Sequence, residues 1–251
     1  MRALALVLAL TACGFQTRGA PDAGSLELDA SEPQQGPGAD AAAAAFCDPG
    51  DSHLMACYEL DGSGRDGSSH HLDAVVTNAT FPPGKVGQAM LFAATSTADV
   101  ADSPVFDVTA LTLEAWIHLA ELPTGTARAG IVDMNGQYGL FLHANGDLQC
   151  ALGGGASPPA TAAHVALDEW THVACSYDGA AGALYVNGVA IANAAGGGAL
   201  PTGGTTGISL AADNPPGSGS RLSGLIDQVR LFDVASTALQ ICQDAGRASC
   251  P

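Results

Sequence analysis

The sequence predicts an all-β fold, two antiparallel sheets packed face to face, with one short helix near the C-terminus. Three observations carry this. Residues 170–192 hold three short alternating runs, Trp170–Tyr177, Ala183–Val186 and Val189–Ala192, separated by turns at Asp178-Gly179 and Asn187-Gly188. Asn-Gly between apolar alternations favours a tight hairpin, because both residues accept positive φ, so the stretch reads as a three-stranded meander. Comparable runs recur along the chain, near 54–60, 73–79, 88–93, 97–101, 111–119, 129–134, 138–144, 147–153, 170–177, 183–186, 189–193, 206–211 and 221–233. The 32 Gly and 14 Pro supply the reversals between them.

The elements follow in order. Residues 1–12 read as a signal peptide: Arg2 is a minimal basic start and Ala3–Leu10 an apolar run too short to span a bilayer. The segment Leu10-Thr11-Ala12-Cys13 resembles the bacterial lipobox, which makes Cys13 the expected lipidation site and the membrane contact one of lipid chains alone. Gly14 after that cysteine, where Asp is absent, resembles lipoproteins sorted to the outer membrane or cell surface. Residues 13–46 are rich in Ala, Gly, Pro and Asp without alternation, as in a disordered tether. The domain is expected over residues 47–251. Within it, Asn145-Gly146 should turn Tyr138–His143 back onto Asp147–Leu152. Ala235–Ala245 reads as the helix, with Ser236 as its cap and Gly246 as its end.

Length and composition narrow the function. With 251 residues and 47% hydrophobic content, the chain suffices for one large domain plus a tail; such a domain buries roughly 70% of its unfolded surface. The net charge of −17, from 8 basic and 25 acidic residues, excludes nucleic acid as a partner. Setting Cys13 aside, the remaining cysteines, Cys47, Cys57, Cys150, Cys175, Cys242 and Cys250, are even in number and suit disulfides in an oxidising compartment. Cys150–Cys175 is favoured, since both lie on strands read as neighbours in one sheet. Cys47–Cys57 and Cys242–Cys250 then serve as local clips, the rival being an end-to-end pairing of the termini. No C-x-x-C, G-x-S-x-G, H-E-x-x-H or P-loop pattern occurs. His70-His71 read as loop residues, and His118 and His172 as structural.

Several segments, in order, resemble the laminin-G-like, concanavalin A-like jelly-roll family: LDGSGRDGSS over 60–69, PGKVGQA over 83–89, LTLEAWI over 111–117, EWTHVACSYDG over 169–179 with LYVNGV over 184–189, and GLIDQVRLF over 224–232. The resemblance covers roughly residues 54–241 and implies a two-sheet jelly roll. It implies one structural Ca²⁺ held by Asp61, Asp66 and Asp227, since this hard cation wants carboxylate and carbonyl oxygens. It also raises glycoside hydrolysis, which needs two carboxylates flanking the scissile bond. The glucanases of this fold carry E-x-D-x-x-E on one strand, and nothing here matches. Glu59 and Asp61 lack a partner further on, Asp168 and Glu169 point to opposite faces, and Glu114 stands alone.

For sugar binding, Trp116 and Trp170 are expected between the sheets, while Tyr138 and Tyr185 remain as rings to present. The Gly-rich loops 153–157, 195–207 and 213–219 read as flexible connections. The expected protein is a non-catalytic, monomeric, surface-exposed lipoprotein whose jelly roll binds a glycan or a protein partner. The alternative is a structural spacer with no specific ligand, and more remotely a glycoside hydrolase.

Overall fold

The computed structural model describes residues 45–124, 128–154, 157–158, 165–215 and 220–250. Alternation of apolar and polar residues produces thirteen strands: β1 Leu54–Tyr58, β2 Val75–Thr77, β3 Met90–Phe92, β4 Thr97–Val100, β5 Leu111–Glu121, β6 Arg128–Met134, β7 Tyr138–His143, β8 Leu148–Leu152, β9 Trp170–Tyr177, β10 Ala181–Val186, β11 Val189–Ala195, β12 Ile208–Leu210 and β13 Ser223–Phe232. A seven-stranded sheet runs β1-β13-β5-β9-β10-β11, with β3 also pairing β13, and a six-stranded sheet runs β2-β4-β12-β6-β7-β8. All pairings between named strands are antiparallel. The meander is β9-β10-β11, and its turn has Asn187 at φ 48° and Gly188 at φ 73°, as a type I′ hairpin requires.

The core lies between the sheets. Leu111, Leu113, Ala115, Ile117 and Leu119 of β5 face Leu140 and Leu142 of β7, Ile208 and Leu210 of β12, and Ile131 and Val132 of β6 in one buried cluster. Cys150 of β8 and Cys175 of β9 form a disulfide within it. These strands belong to different sheets, so the bridge crosses the core where in-sheet neighbours were expected. Cys47–Cys57 and Cys242–Cys250 are also joined.

The helix α1, Ala238–Asp244, starts three residues later than the sequence suggests, and its cap lies one residue later. Thr237, not Ser236, caps it, because Gln240 completes a reciprocal capping box with Thr237. Ile241 packs α1 onto Ala174 and Tyr185 of the seven-stranded sheet's outer face. Beside it lies a buried ionic cluster. Arg230 of β13 donates to Glu114 of β5 through Nε at 2.6 Å and reaches Asp244 of α1 at 2.7 Å, while His172 Nε2 stands 3.4 Å from Glu114. Burial alone would raise the Glu114 carboxyl. The hydrogen bond from His172 and the charge of Arg230 outweigh it and hold the group below its ordinary value. No helix among the described residues is long and apolar enough to cross a membrane.

Candidate functional site

The outer face of the six-stranded sheet carries a cleft of about 260 Å³, lined by Arg128, Asp133, Asn135, Gly136, Gln137, Tyr138, Phe141, Ala151, Leu152 and Gly153. Strict alternation on β6 would place Arg128 and Asp133, five residues apart, on opposite faces. The register slips between Gly130 and Val132, leaving Ile131 as an extra residue. This bulge reverses the phase, so Asp133 faces outward with Arg128 while Ile131 and Val132 both enter the core.

Two close approaches shape the cleft. At Gly130 a Cβ would lie 2.1 Å from Ala212 O, so only glycine lets the loop after β12 cross β6 here. That loop brings Asp213 to Arg128 (Nε to the carboxylate oxygens, 3.2 and 3.4 Å) and the Asn214 amide to Asp133 Oδ2 at 2.7 Å. At Gly139 of β7 a Cβ would meet the Phe141 ring at 2.6 Å and Asp133 Oδ1 at 3.1 Å. The missing side chain is the space between carboxylate and ring. The Arg128 guanidinium lies on Phe141 with its carbon 3.7 Å from the ring centroid, yet its side chain stays 39% exposed. Among the described residues its Nη atoms, Asp133 Oδ1 and the Asn135 amide make no hydrogen bond, so donors and acceptors around one floor remain free for a ligand.

The family model for the concanavalin A-like lectin/glucanases superfamily matches residues 92–242. The chain belongs to this superfamily. Among solved structures, this lectin/glucanase-like chain is similar to Domain 4 of AbnA, a GH43 extracellular arabinanase from Geobacillus stearothermophilus, in complex with arabinotriose. The TM-score is 0.63 at 20% identity, over 78% of this chain and 98% of that one. It is also similar to the binding domain of botulinum neurotoxin DC in complex with SialylT (TM-score 0.58, 12% identity, 78% and 51% of the chains). A third is a Trypanosoma rangeli sialidase in complex with the inhibitor DANA (TM-score 0.56, 20% identity, 76% and 32%). This chain thus spans about half of the second and a third of the last. No curated protein matches the chain.

In this lectin/glucanase-like chain the three carboxylates expected around calcium each accept hydrogen bonds from backbone amides. Asp66 is buried and fully engaged: Oδ1 accepts from the amides of Cys57 and Ser68, Oδ2 from the Ser68 hydroxyl and the Leu72 amide. It clasps the loop after β1, as an Asp does when it satisfies turn amides. Asp61 accepts from the Gln88 amide and Asp227 Oδ2 from the Val86 amide at 3.0 Å, so the two carboxylates hold neighbouring residues of the loop before β3. Asp227 Oδ1 is buried without a hydrogen bond among the described residues. Among the described residues no three His, Cys, Asp or Glu side chains are grouped to hold a metal ion.

The aromatic expectations need correction. Trp116 and Trp170 do not pack between the sheets; their neighbours Ile117 and Thr171 pair on the inward face, which turns the tryptophans outward. Trp116 stacks edge-on with His172 beneath Lys85, whose Nζ lies 4.0 Å from the indole centroid, and Trp170 meets His118. Tyr138 donates its hydroxyl to Phe106 O and Tyr185 lies under α1, so neither presents a ring. The Gly-rich loops contribute Gly153 to the cleft and Asp213 and Asn214 to its edge. His70 and His71 lie in the loop after β1, and Cys13 lies outside the described residues.

Sequence reading missed Arg128, Asp133 and Phe141. The available signal was a lone aspartate inside the apolar run GIVDM of residues 130–134. Burial pushes both Asp133 and Asp227 up to about 6, with Asp213 and Asp61 adding to the shift and the Asn214 and Val86 amides opposing it. The folded chain therefore keeps protons that unfolded carboxyls, near ~3.9, release. This contribution to stability is full below about pH 4 and is lost as pH rises towards 6. The melting temperature is expected to be higher near about pH 4.5 than near about pH 7, with the difference reduced in Asp227→Asn. Circular dichroism melts across that range check it, and a flat profile would contradict it.

Proposed function

We propose that this chain is an exported, non-catalytic, lectin-like module, anchored through lipid at Cys13, that binds glycan in the cleft of the six-stranded sheet. The observation that carries the reading is the glycine-floored space at Gly139, ringed by hydrogen-bonding groups of Arg128, Asp133 and Asn135 that are unpaired among the described residues. Sugars are recognised by such fixed donors and acceptors on a preformed surface. Export is supported by the three disulfides, which persist in oxidising compartments. The non-catalytic reading is supported by the state of the two carboxylates at the cleft: Asp133 lines it, while Asp213 is held at its edge in an ion pair with Arg128, whereas glycoside hydrolysis uses two carboxyl groups facing the scissile bond. The neighbours with arabinotriose and SialylT are consistent with a carbohydrate ligand.

The experiment is a glycan array probed with the full chain and with Gly139→Val, both first checked for unchanged melting. A Val side chain fills the cleft floor, so glycan signal is expected to fall at least about tenfold, the effect of losing ~1.4 kcal/mol of contact. Equal signal from the two proteins would place the ligand elsewhere.

A further inference from the structure

The charges around the cleft select among sugars. Arg128 is the basic residue of the lining, and Asp213 already holds its Nε. Asp133 faces the same space from the other side of Gly139. Two carboxylates thus surround one guanidinium. The row continues on this face through Ser209, opposite Asp133 in the register, to Asp99, which accepts from the Ser209 hydroxyl at 2.7 Å. The chain as a whole carries −17. A sugar carboxylate entering here would lose water beside like charges, and the charge of its natural counter-ion is already shared with Asp213 through Nε. A hydroxyl meets no such penalty, because it donates to a carboxylate and accepts from a guanidinium equally well. The volume of about 260 Å³ lies below the ~300–1,000 Å³ usual for drug-sized ligands, which suits a single ring.

We propose that the cleft takes an uncharged sugar ring through two adjacent hydroxyls, one donating to Asp133 Oδ1 and the other accepting from the Arg128 Nη atoms, and that it rejects sialic and uronic acids. This rests on the glycan-binding reading above. The hydroxyl that donates to Asp133 must meet its ionised form, so sugar binding competes with a proton there. The charged groups facing Asp133 are Arg128 on its own strand and Asp213 on the loop; β7 contributes Gly139 and β12 contributes Ser209, both uncharged.

The test titrates the full chain by calorimetry with arabinotriose, xylotriose, mannotriose and cellotriose as neutral probes, and with sialyllactose and a glucuronic-acid disaccharide as acidic ones. At least one neutral probe is expected to bind about tenfold or more tightly than either acidic probe. Lowering the pH from about 7 to about 5 is expected to weaken that neutral binding about tenfold, as Asp133 takes up its proton. Asp133→Asn should bind more weakly and show no such pH dependence; the wild-type pH profile decides the same point if that variant does not fold. Acidic probes binding as well as neutral ones would overturn the selectivity and leave the glycan-binding reading standing. Binding by none of the six would remove both.

Discussion

Replacing Arg230 with Met is expected to cost about 3–5 kcal/mol of folding free energy, on the order of 10 °C in melting temperature for a domain of this length. The reason is what the substitution leaves behind. Glu114 is 1% exposed on β5, and its two strong contacts come from Arg230. His172 stands 3.4 Å away and is itself buried. Removing the guanidinium strands a carboxylate that must either stay charged in a poor medium or take up a proton, and both are costly. Asp244 suffers less because its side chain is 28% exposed and water replaces the lost partner. The double variant Glu114→Leu with Arg230→Met is expected to recover most of the loss, since a buried pair contributes little beyond its own desolvation. Urea unfolding of the wild type and both variants measures this. A single variant within about 1 kcal/mol of wild type, or a double variant worse than the single, would show that the cluster does not hold the helix as described.

The same region shows what the sequence could and could not convey. Strand positions were legible because a period of two survives in LTLEAWIHL of β5 and WTHVACSY of β9, and because Asn187-Gly188 fixes the hairpin between β10 and β11. Facing direction was not legible wherever a bulge intervenes. Asp227 and Arg230 are three apart and by alternation belong to opposite faces. Gln228, at φ 49°, sits in an irregularity between them that turns both outward. On β6 the extra Ile131 does the same for Arg128 and Asp133. A bulge leaves no residue signature comparable to Asn-Gly, so the ion cluster and the cleft were both invisible to pattern reading. The tryptophans misled for a related reason. Apolar bulk suggested the inter-sheet core, but Trp116 is buried on the outer face by Lys85 and His172, a tertiary cover that no local pattern announces. Asp66 was legible only through the family resemblance, as a calcium ligand. Its four hydrogen bonds assign it to the turn.

Removing the inter-sheet disulfide, by Cys150→Ala with Cys175→Ala, is expected to cost about 3.5 kcal/mol, against about 2.5 for the corresponding change at Cys242 and Cys250. Chain entropy sets the order: the first bridge closes a separation of 25 residues and the second one of 8. Position widens the gap. Cys150 and Cys175 sit at the interface of the two sheets, surrounded by the main core, so their loss also leaves unfilled volume between layers. Cys242–Cys250 only ties the end of α1 to the chain beyond it. The cleft supplies an independent readout, because β8 carries Cys150 on its inward side and Ala151 in the cleft lining. Loosening β8 should therefore weaken the glycan binding proposed for the cleft in the Cys150–Cys175 variant and leave it intact in the Cys242–Cys250 variant. Denaturant melts and glycan titration on the same two proteins separate the contributions. Equal losses of stability and of binding in both would mean that the bridge across the core contributes no more than the terminal clip.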